Sequence, residues 1–392
     1  MCADLALVSG LSVTDGVFTA PGQTARLMID DTGLDCLPGL IDLHGDAFER
    51  ALSPRPGVTL PVELALLELE SQLLAAGITT AYLAVTLSWE AGLRSIATYE
   101  KLRDALIARG QSRAPDLYLH VRYEAATLEA VEMLLADIAA GHVRMLSFND
   151  HTPGIVKKLP NPVAVSKFVE RTGQDYEEFC LTARRAGAVP PARIVEAQLR
   201  LAQAARQAGI PMASHDDSSL EERAYFRDLG ADISEFPTTL EVALAARAAG
   251  EPTIMGAPNV VRGGSHTGWH SAEALVRQQA CSVLCSDYHY PSLLQAVYKL
   301  IRNNSASAPE AMALVTSNAA KAAKLTDRGS LEIGQRADFL LVEPGLFPRV
   351  VASITAGALA YLAPGEARRL KPQPAQSHAQ TNELMRLDQA VL

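Results

Sequence analysis

The strongest constraint on this chain is a cadence in its sequence. From about residue 36 onward, apolar runs of strand length recur, each ending in polar or charged residues. They occupy 37–44, 79–85, 117–124, 144–150, 211–216, 232–237, 253–259 and 282–287. Helical periodicity fills the gaps at Val62 to Ala76, Leu128 to Ala140, Arg193 to Ala208 and Thr239 to Ala249. Gly77, Gly209, Gly230 and Gly250 stand just before a following strand, as a left-handed helix terminus favours. Strands alternating with helices in this way predict an α/β fold, a (β/α)8 TIM barrel with parallel strands and right-handed crossovers. An open doubly wound sheet is the rival. No Gly-x-Gly-x-x-Gly follows the first strand to support it.

Both ends of the chain read differently. Short strand runs, Leu5 to Val8 and Ala25 to Ile29, flank the turn signals Thr14-Asp15-Gly16 and Pro21-Gly22. Strand patterns return from Asp327 to Val342, so residues 1–35 and 327–370 are expected to form one β domain beside a barrel at 36–326. Residues 371–392, rich in Pro, Gln and Ala, are expected to be a loose tail. The long connection at 151–210 is polar and partly helical, and carries Lys157, Lys158 and Lys167. Such a segment inside a compact fold suits a functional lid or an oligomer contact, and a homo-oligomer is expected.

Composition narrows the function. The chain has 392 residues, of which 48% are hydrophobic and 20% charged, with a net charge of −9. That balance argues against a nucleic-acid or anionic-membrane surface, while leaving room for a local basic pocket. Five cysteines without a CxxC spacing point to a reducing compartment. Without a basic-then-apolar leader or a membrane-length apolar run, the cytoplasm is the expected location.

Barrel enzymes carry their working residues at the C-terminal ends of the strands. Here those ends present His44 and Asp46, then Glu124 with His120 and Arg122 on the same face, then Asn149, Asp150 and His151. His215, Asp216 and Asp217 follow, then Glu235, then Asn259 with the loop Val261-Arg262-Gly263-Gly264-Ser265-His266, and finally Asp287. A hydrogen-bonded strand end accounts for any one of these. So many on one rim point to a divalent metal site.

Several motifs together resemble the amidohydrolase superfamily, and within it the PhnM-type diphosphatases of phosphonate breakdown. They are Leu37-Pro38-Gly39-Leu40-Ile41-Asp42-Leu43-His44-Gly45-Asp46, Asp150-His151-Thr152-Pro153-Gly154, Ala213-Ser214-His215-Asp216-Asp217, Glu235-Phe236-Pro237-Thr238-Thr239 and Gly256-Ala257-Pro258-Asn259-Val260-Val261-Arg262-Gly263-Gly264-Ser265-His266. The resemblance covers about residues 36 to 342. It implies a metal-dependent (β/α)8 hydrolase with a β-sandwich built from both chain ends, cleaving a ribose 1-phosphonate 5-triphosphate to the 5-phosphate and pyrophosphate. The first motif departs from the family pattern, reading His44-Gly45-Asp46-Ala47 where that pattern has His-Thr-Asp-Asn.

Anhydride hydrolysis at neutral pH needs a nucleophile better than water, which a divalent metal supplies. The expected ligands of one or two ions, zinc given the mix of imidazole and carboxylate, are His44, Asp46, His215 and Asp287. Glu124 is expected to bridge and Glu235 to add a further carboxylate. Asp287 is also the expected base. Asp150, His151, Asn259, Arg262, Gly263, Gly264, Ser265 and His266 are expected to bind a phosphorylated sugar, with Arg262 forking a phosphate from its glycine loop. His151, His266 and His289 are candidate proton donors. Two other readings share the fold: a deaminase or cyclic-amide hydrolase with an unphosphorylated substrate, and a non-catalytic binding protein. The latter is disfavoured because His44, Asp46, His215 and Asp287 are all present.

Overall fold

Eight parallel strands form the expected barrel in a computed structural model that describes residues 5–7, 10–20, 27–55, 57–110, 114–264 and 271–372. The strands are Leu40–Gly45, Ile78–Leu87, Asp116–Glu124, Val143–Asn149, Met212–His215, Ile233–Glu235, Thr253–Gly256 and Val283–Cys285. Each pairs with its neighbours in chain order, the arrangement that right-handed βαβ crossovers produce. The four glycines that end the helices before strands all take positive φ. Among the described residues, no helix is long and apolar enough to cross a membrane.

The sheet closes between its first and last strands through few but well-placed bonds. The Asp287 amide donates to the His44 carbonyl at 2.9 Å, and the Asp46 amide donates to the Asp287 carbonyl at 3.0 Å. Below them the buried carboxylate of Asp42 accepts from the Ser286 amide at 2.8 Å and from its hydroxyl at 2.5 Å. Burial pushes the Asp42 carboxyl up to about 6, the two Ser286 bonds pulling against it. Gly45 sits over this joint. A Cβ there would stand 2.6 Å from Asp42 Oδ2 and 2.9 Å from the Tyr290 ring.

The barrel interior is layered. Ile41, Leu43, Tyr82, Met145, Ala213, Ile233, Ile254, Val283 and Cys285 fill its middle with apolar side chains. The termini supply two further sheets. One runs, edge to edge, Leu370–Pro372, Leu27–Ile29, Leu5–Leu7, Ser12–Thr14 and Val17–Thr19. The other runs Ala358–Leu362, Arg349–Thr355, Phe339–Glu343 and Asp35–Pro38. Val13, Phe18, Ile29, Phe339, Leu341, Val351 and Ile354 pack together as their shared core. Asp15 and Gly16, both at positive φ, make the two-residue hairpin that joins Ser12–Thr14 to Val17–Thr19.

Three details differ from expectation. Lys371 and Pro372, counted with the tail, belong to the strand Leu370–Pro372; residues 373–392 lie outside the described residues. Within Asp327–Val342 the regular strand begins only at Phe339; before it, Arg336 makes a single antiparallel bridge to Val17, and Arg328 and Arg336 reach across the barrel floor to Asp116. The 151–210 connection is four helices, Thr152–Lys158, Pro162–Thr172, Tyr176–Gly187 and Pro191–Gln207, the first three sharing a core of Ile155, Leu159, Val165, Phe179, Cys180 and Ala183. Its polar sequence reflects helices exposed on most faces. Gly45→Ala should cost about 1–3 kcal/mol by overpacking the closed joint, read as a lower thermal midpoint than wild type.

Candidate active site

Period-two alternation aims one set of side chains from each strand into the barrel, and at the C-terminal end these are polar. The hub is Glu235, which ends the sixth strand fully buried. Its Oε1 lies 3.1 Å from His44 Nδ1. Its Oε2 accepts from the Ser147 hydroxyl at 3.0 Å, and faces His215 Nδ1 at 3.5 Å and His120 Nε2 at 3.7 Å. His120 donates from Nδ1 to the Leu43 carbonyl at 2.9 Å, so its Nε2 carries a free lone pair, buried and without a hydrogen-bond partner. His44, His120 and Glu235 bring one ligand atom each within 4.8 Å of one another. A pleat irregularity between Asp42 and Gly45 lies at His44 in the first strand. The Phe236 ring then sets its position, meeting the His44 and His215 imidazoles edge-on at 4.9 and 5.2 Å.

Burial decides the charge of these groups. It pushes the His44 imidazole down to about 3, with Arg122 adding to the effect, and the His120 imidazole down to about 4. His215 falls well below its usual range for the same reasons. Neutral imidazoles around a buried carboxylate are the protonation state a divalent ion requires. The orphaned His120 Nε2 is the kind of atom such an ion satisfies. The set therefore fits a metal.

A second layer lies nearer the solvent. His151 is bonded through Nδ1 to Glu124 and faces Asp216 at 3.6 Å through Nε2. Burial opposes its charge, but the bonds to Asp216 and Glu124 outweigh it and raise His151 to about 9. Arg122 donates to His215 Nε2 at 2.8 Å and stands 3.9 Å from Asp46. His151, His215 and Asp216 form a second possible ligand group. Asp287 follows the eighth strand in the left-handed region, φ 54°, its Oδ2 packed close to Gly256. Burial, reinforced by the charge on Asp46, pushes its carboxyl up to about 7.

These groups open into a cleft of about 710 Å³. Of the residues expected at the site, His44, Asp46, His215, Asp287, Asp150, His151 and Asn259 line it. Glu235 and Glu124 are buried beneath it, Glu124 held by His151 and apart from the first ligand group. Arg262 is exposed at the far end of the helix Ala257–Arg262, and neither it nor Gly263 nor Gly264 lines the cleft. Ser265 and His266 lie outside the described residues. Sequence reasoning had His120 on the correct face and chose Glu124, four residues nearer the strand end, as the ligand. The cationic wall of Arg94 and Arg171 was missed, because nothing in sequence distinguishes those positions from ordinary helix and loop surface.

Residues 179–367 match the Amidohydrolase family. The chain is 34% identical over 352 residues, 86% of its length and 91% of the relative's, to the alpha-D-ribose 1-methylphosphonate 5-triphosphate diphosphatase of Escherichia coli (strain K12). The fold is shared with 5-methylcytosine deaminase from Klebsiella pneumoniae (TM-score 0.59, 15% identity, 92% of this chain and 97% of that one). It is also shared with N-acetylglucosamine-6-phosphate deacetylase from Pasteurella multocida (TM-score 0.56, 12% identity, 90% and 94%). Metal dependence is general in the amidohydrolase superfamily, and the described residues of this chain include two groups of candidate ligands. Elemental analysis of protein purified without chelator should find divalent metal. His120→Ala should lose most of it with the far-ultraviolet spectrum unchanged.

Proposed function

We propose that this chain, which belongs to the amidohydrolase superfamily and within it to the PhnM-type metal-dependent hydrolases, cleaves a ribose 1-phosphonate 5-triphosphate to the 5-phosphate and pyrophosphate. The observation that carries the reading is the buried group His44, His120 and Glu235 at the floor of a wide polar cleft, in a chain 34% identical over 86% of its length to such a diphosphatase.

One zinc ion held by His44, His120 and Glu235 is the favoured occupancy, since two imidazoles and a carboxylate leave a position open. An ion bound there would lower the pKa of water to about 7 and offset charge on the phosphoryl oxygens. The outer group already carries positive charge. Arg122 lies against His215, and His151 is protonated between Glu124 and Asp216. A second ion would meet both cations.

The remaining work falls to this chain's own residues. Asp287, its carboxyl pushed up to about 7, takes the proton as the water oxygen bonds to the α-phosphorus. The bond from that phosphorus to the bridging oxygen breaks, and the oxygen departs with pyrophosphate. His151, protonated to about 9 and half-exposed in the cleft, is placed to give that leaving group a proton. Arg122 holds Asp46 and His215 in place and contributes a fixed positive charge beside the reacting phosphoryl group.

Asp287→Asn should lower kcat by about 10²–10⁴-fold with little change in KM. The amide is isosteric, and the backbone bonds of Asp287 to His44 and Asp46 do not involve its side chain. The overall reading is tested by offering the holoenzyme sugar triphosphates, sugar monophosphates, nucleosides and cyclic ureas, following pyrophosphate by phosphorus NMR and ammonia by coupled assay. Pyrophosphate release from the triphosphate alone is the expected result. Turnover confined to an unphosphorylated amine or cyclic amide would replace this reading with the deaminase or cyclic-amide hydrolase one.

A further inference from the structure

One wall of the cleft carries a concentration of positive charge that the hydrolytic centre does not use. Lys158, Lys167 and Arg171 all approach the ring of Phe168, at 5.9, 5.0 and 5.3 Å from its centroid. All four residues line the same cleft as His44 and Asp287. Arg171 is paired, donating to Glu90 Oε2 at 3.1 Å through Nε. Lys158 and Lys167 have no ion-pair or hydrogen-bond partner among the described residues. Three cations around one aromatic ring repel one another, and the ring quadrupole offsets only part of that repulsion. The arrangement fits an anion carrying several charges. Between this wall and the centre stand Arg94, chelated by Glu49 at 3.0 and 3.3 Å, and the buried Glu90. These pairs fix the guanidinium positions, and the chain supplies the wall from the helices Thr152–Lys158 and Pro162–Thr172, whose own core keeps them in shape.

We propose that Lys158, Lys167 and Arg171 around Phe168 form a polyphosphate subsite that holds the outer two phosphates of the substrate and then the departing pyrophosphate. The assignment rests on the diphosphatase reading for its substrate, and on the cleft geometry alone for its anion. Lysine is suited to this role because its compact ammonium follows a phosphate chain without demanding one fixed fork geometry. The interaction gains from the partly enclosed cleft and weakens with salt.

The test is calorimetric titration of pyrophosphate into the holoenzyme, with orthophosphate for comparison. In the Lys158→Ala/Lys167→Ala double variant, pyrophosphate should bind about tenfold or more weakly, while orthophosphate, metal content and thermal midpoint barely change. Lys157→Ala removes the same charge from an exposed neighbour on the same helix that does not line the cleft, and should leave pyrophosphate affinity unchanged. Both target lysines are exposed, so folding is not at stake; Lys167→Glu alone should weaken pyrophosphate binding further than Lys167→Ala. With a triphosphorylated substrate, the double variant should raise KM and retain kcat. Undetectable pyrophosphate binding to wild type, equal affinity in the double variant, or an equal loss in Lys157→Ala would each overturn the subsite. Because the titration needs no turnover, a failure of the diphosphatase reading would show separately, as an absence of hydrolysis with pyrophosphate affinity and its lysine dependence intact.

Discussion

The structure depends on a buried joint between Asp42 and Ser286. An eight-stranded parallel sheet must bring its first and last strands together, and here the two are short of ladder bonds where they meet. The Asp42 carboxylate supplies the missing acceptors, taking both donors of Ser286 in the interior. A carboxylate buried without a basic partner is costly, which is why its carboxyl is pushed up to about 6. The return is positional. With Ser286 fixed, Asp287 follows in register with His44, and Asp46 with Asp287, so three polar residues of the rim are aligned by one joint. Gly45 is the space this arrangement needs, which gives a local physical reason for the departure in the first motif.

Above the joint, charge is sorted by depth. At the floor, burial strips protons from His44, His120 and His215 and leaves Glu235 as their shared acid neighbour. Nearer the mouth, Arg122 and protonated His151 face Asp46, Glu124 and Asp216. At the outer wall, the lysines stand beside Phe168. A chain with a net charge of −9 thus presents an arriving anion with local positive charge at the cleft's outer wall, which its overall composition conceals.

Much of this was legible in the sequence because strand periodicity and strand-end chemistry are local. All eight barrel strands lie where the apolar runs indicated, and His44, Asp46, Asp150, His151, His215, Asn259 and Asp287 stand on the cleft wall. What was not legible depended on depth and on partners far apart in the chain. The His120-x-Arg122-x-Glu124 alternation showed a shared face, but not that His120 would lie level with Glu235 and Glu124 with His151. Arg262 looked apt for phosphate because it precedes two glycines, yet its helix carries it to the outside. The helix Ile96–Arg109 escaped notice for a similar reason: its apolar face is narrow, Tyr99, Leu102, Ala105 and Leu106, and its start is set by the Ser95 cap.

The order in which the chain is made gives the barrel joint a further meaning. His44 is synthesised near the beginning, but Glu235 and then Ser286 emerge only after most of the chain has been built. Until Glu235 arrives there is no complete inner ligand group, and until Ser286 arrives Asp42 has no donors to hold the first strand against the last. A nascent barrel therefore has little to grip an ion with and no closed cavity to shelter it. Both the inner ligand group and the barrel joint are thus completed late in synthesis, Glu235 following His44 by 191 residues and Ser286 following Asp42 by 244.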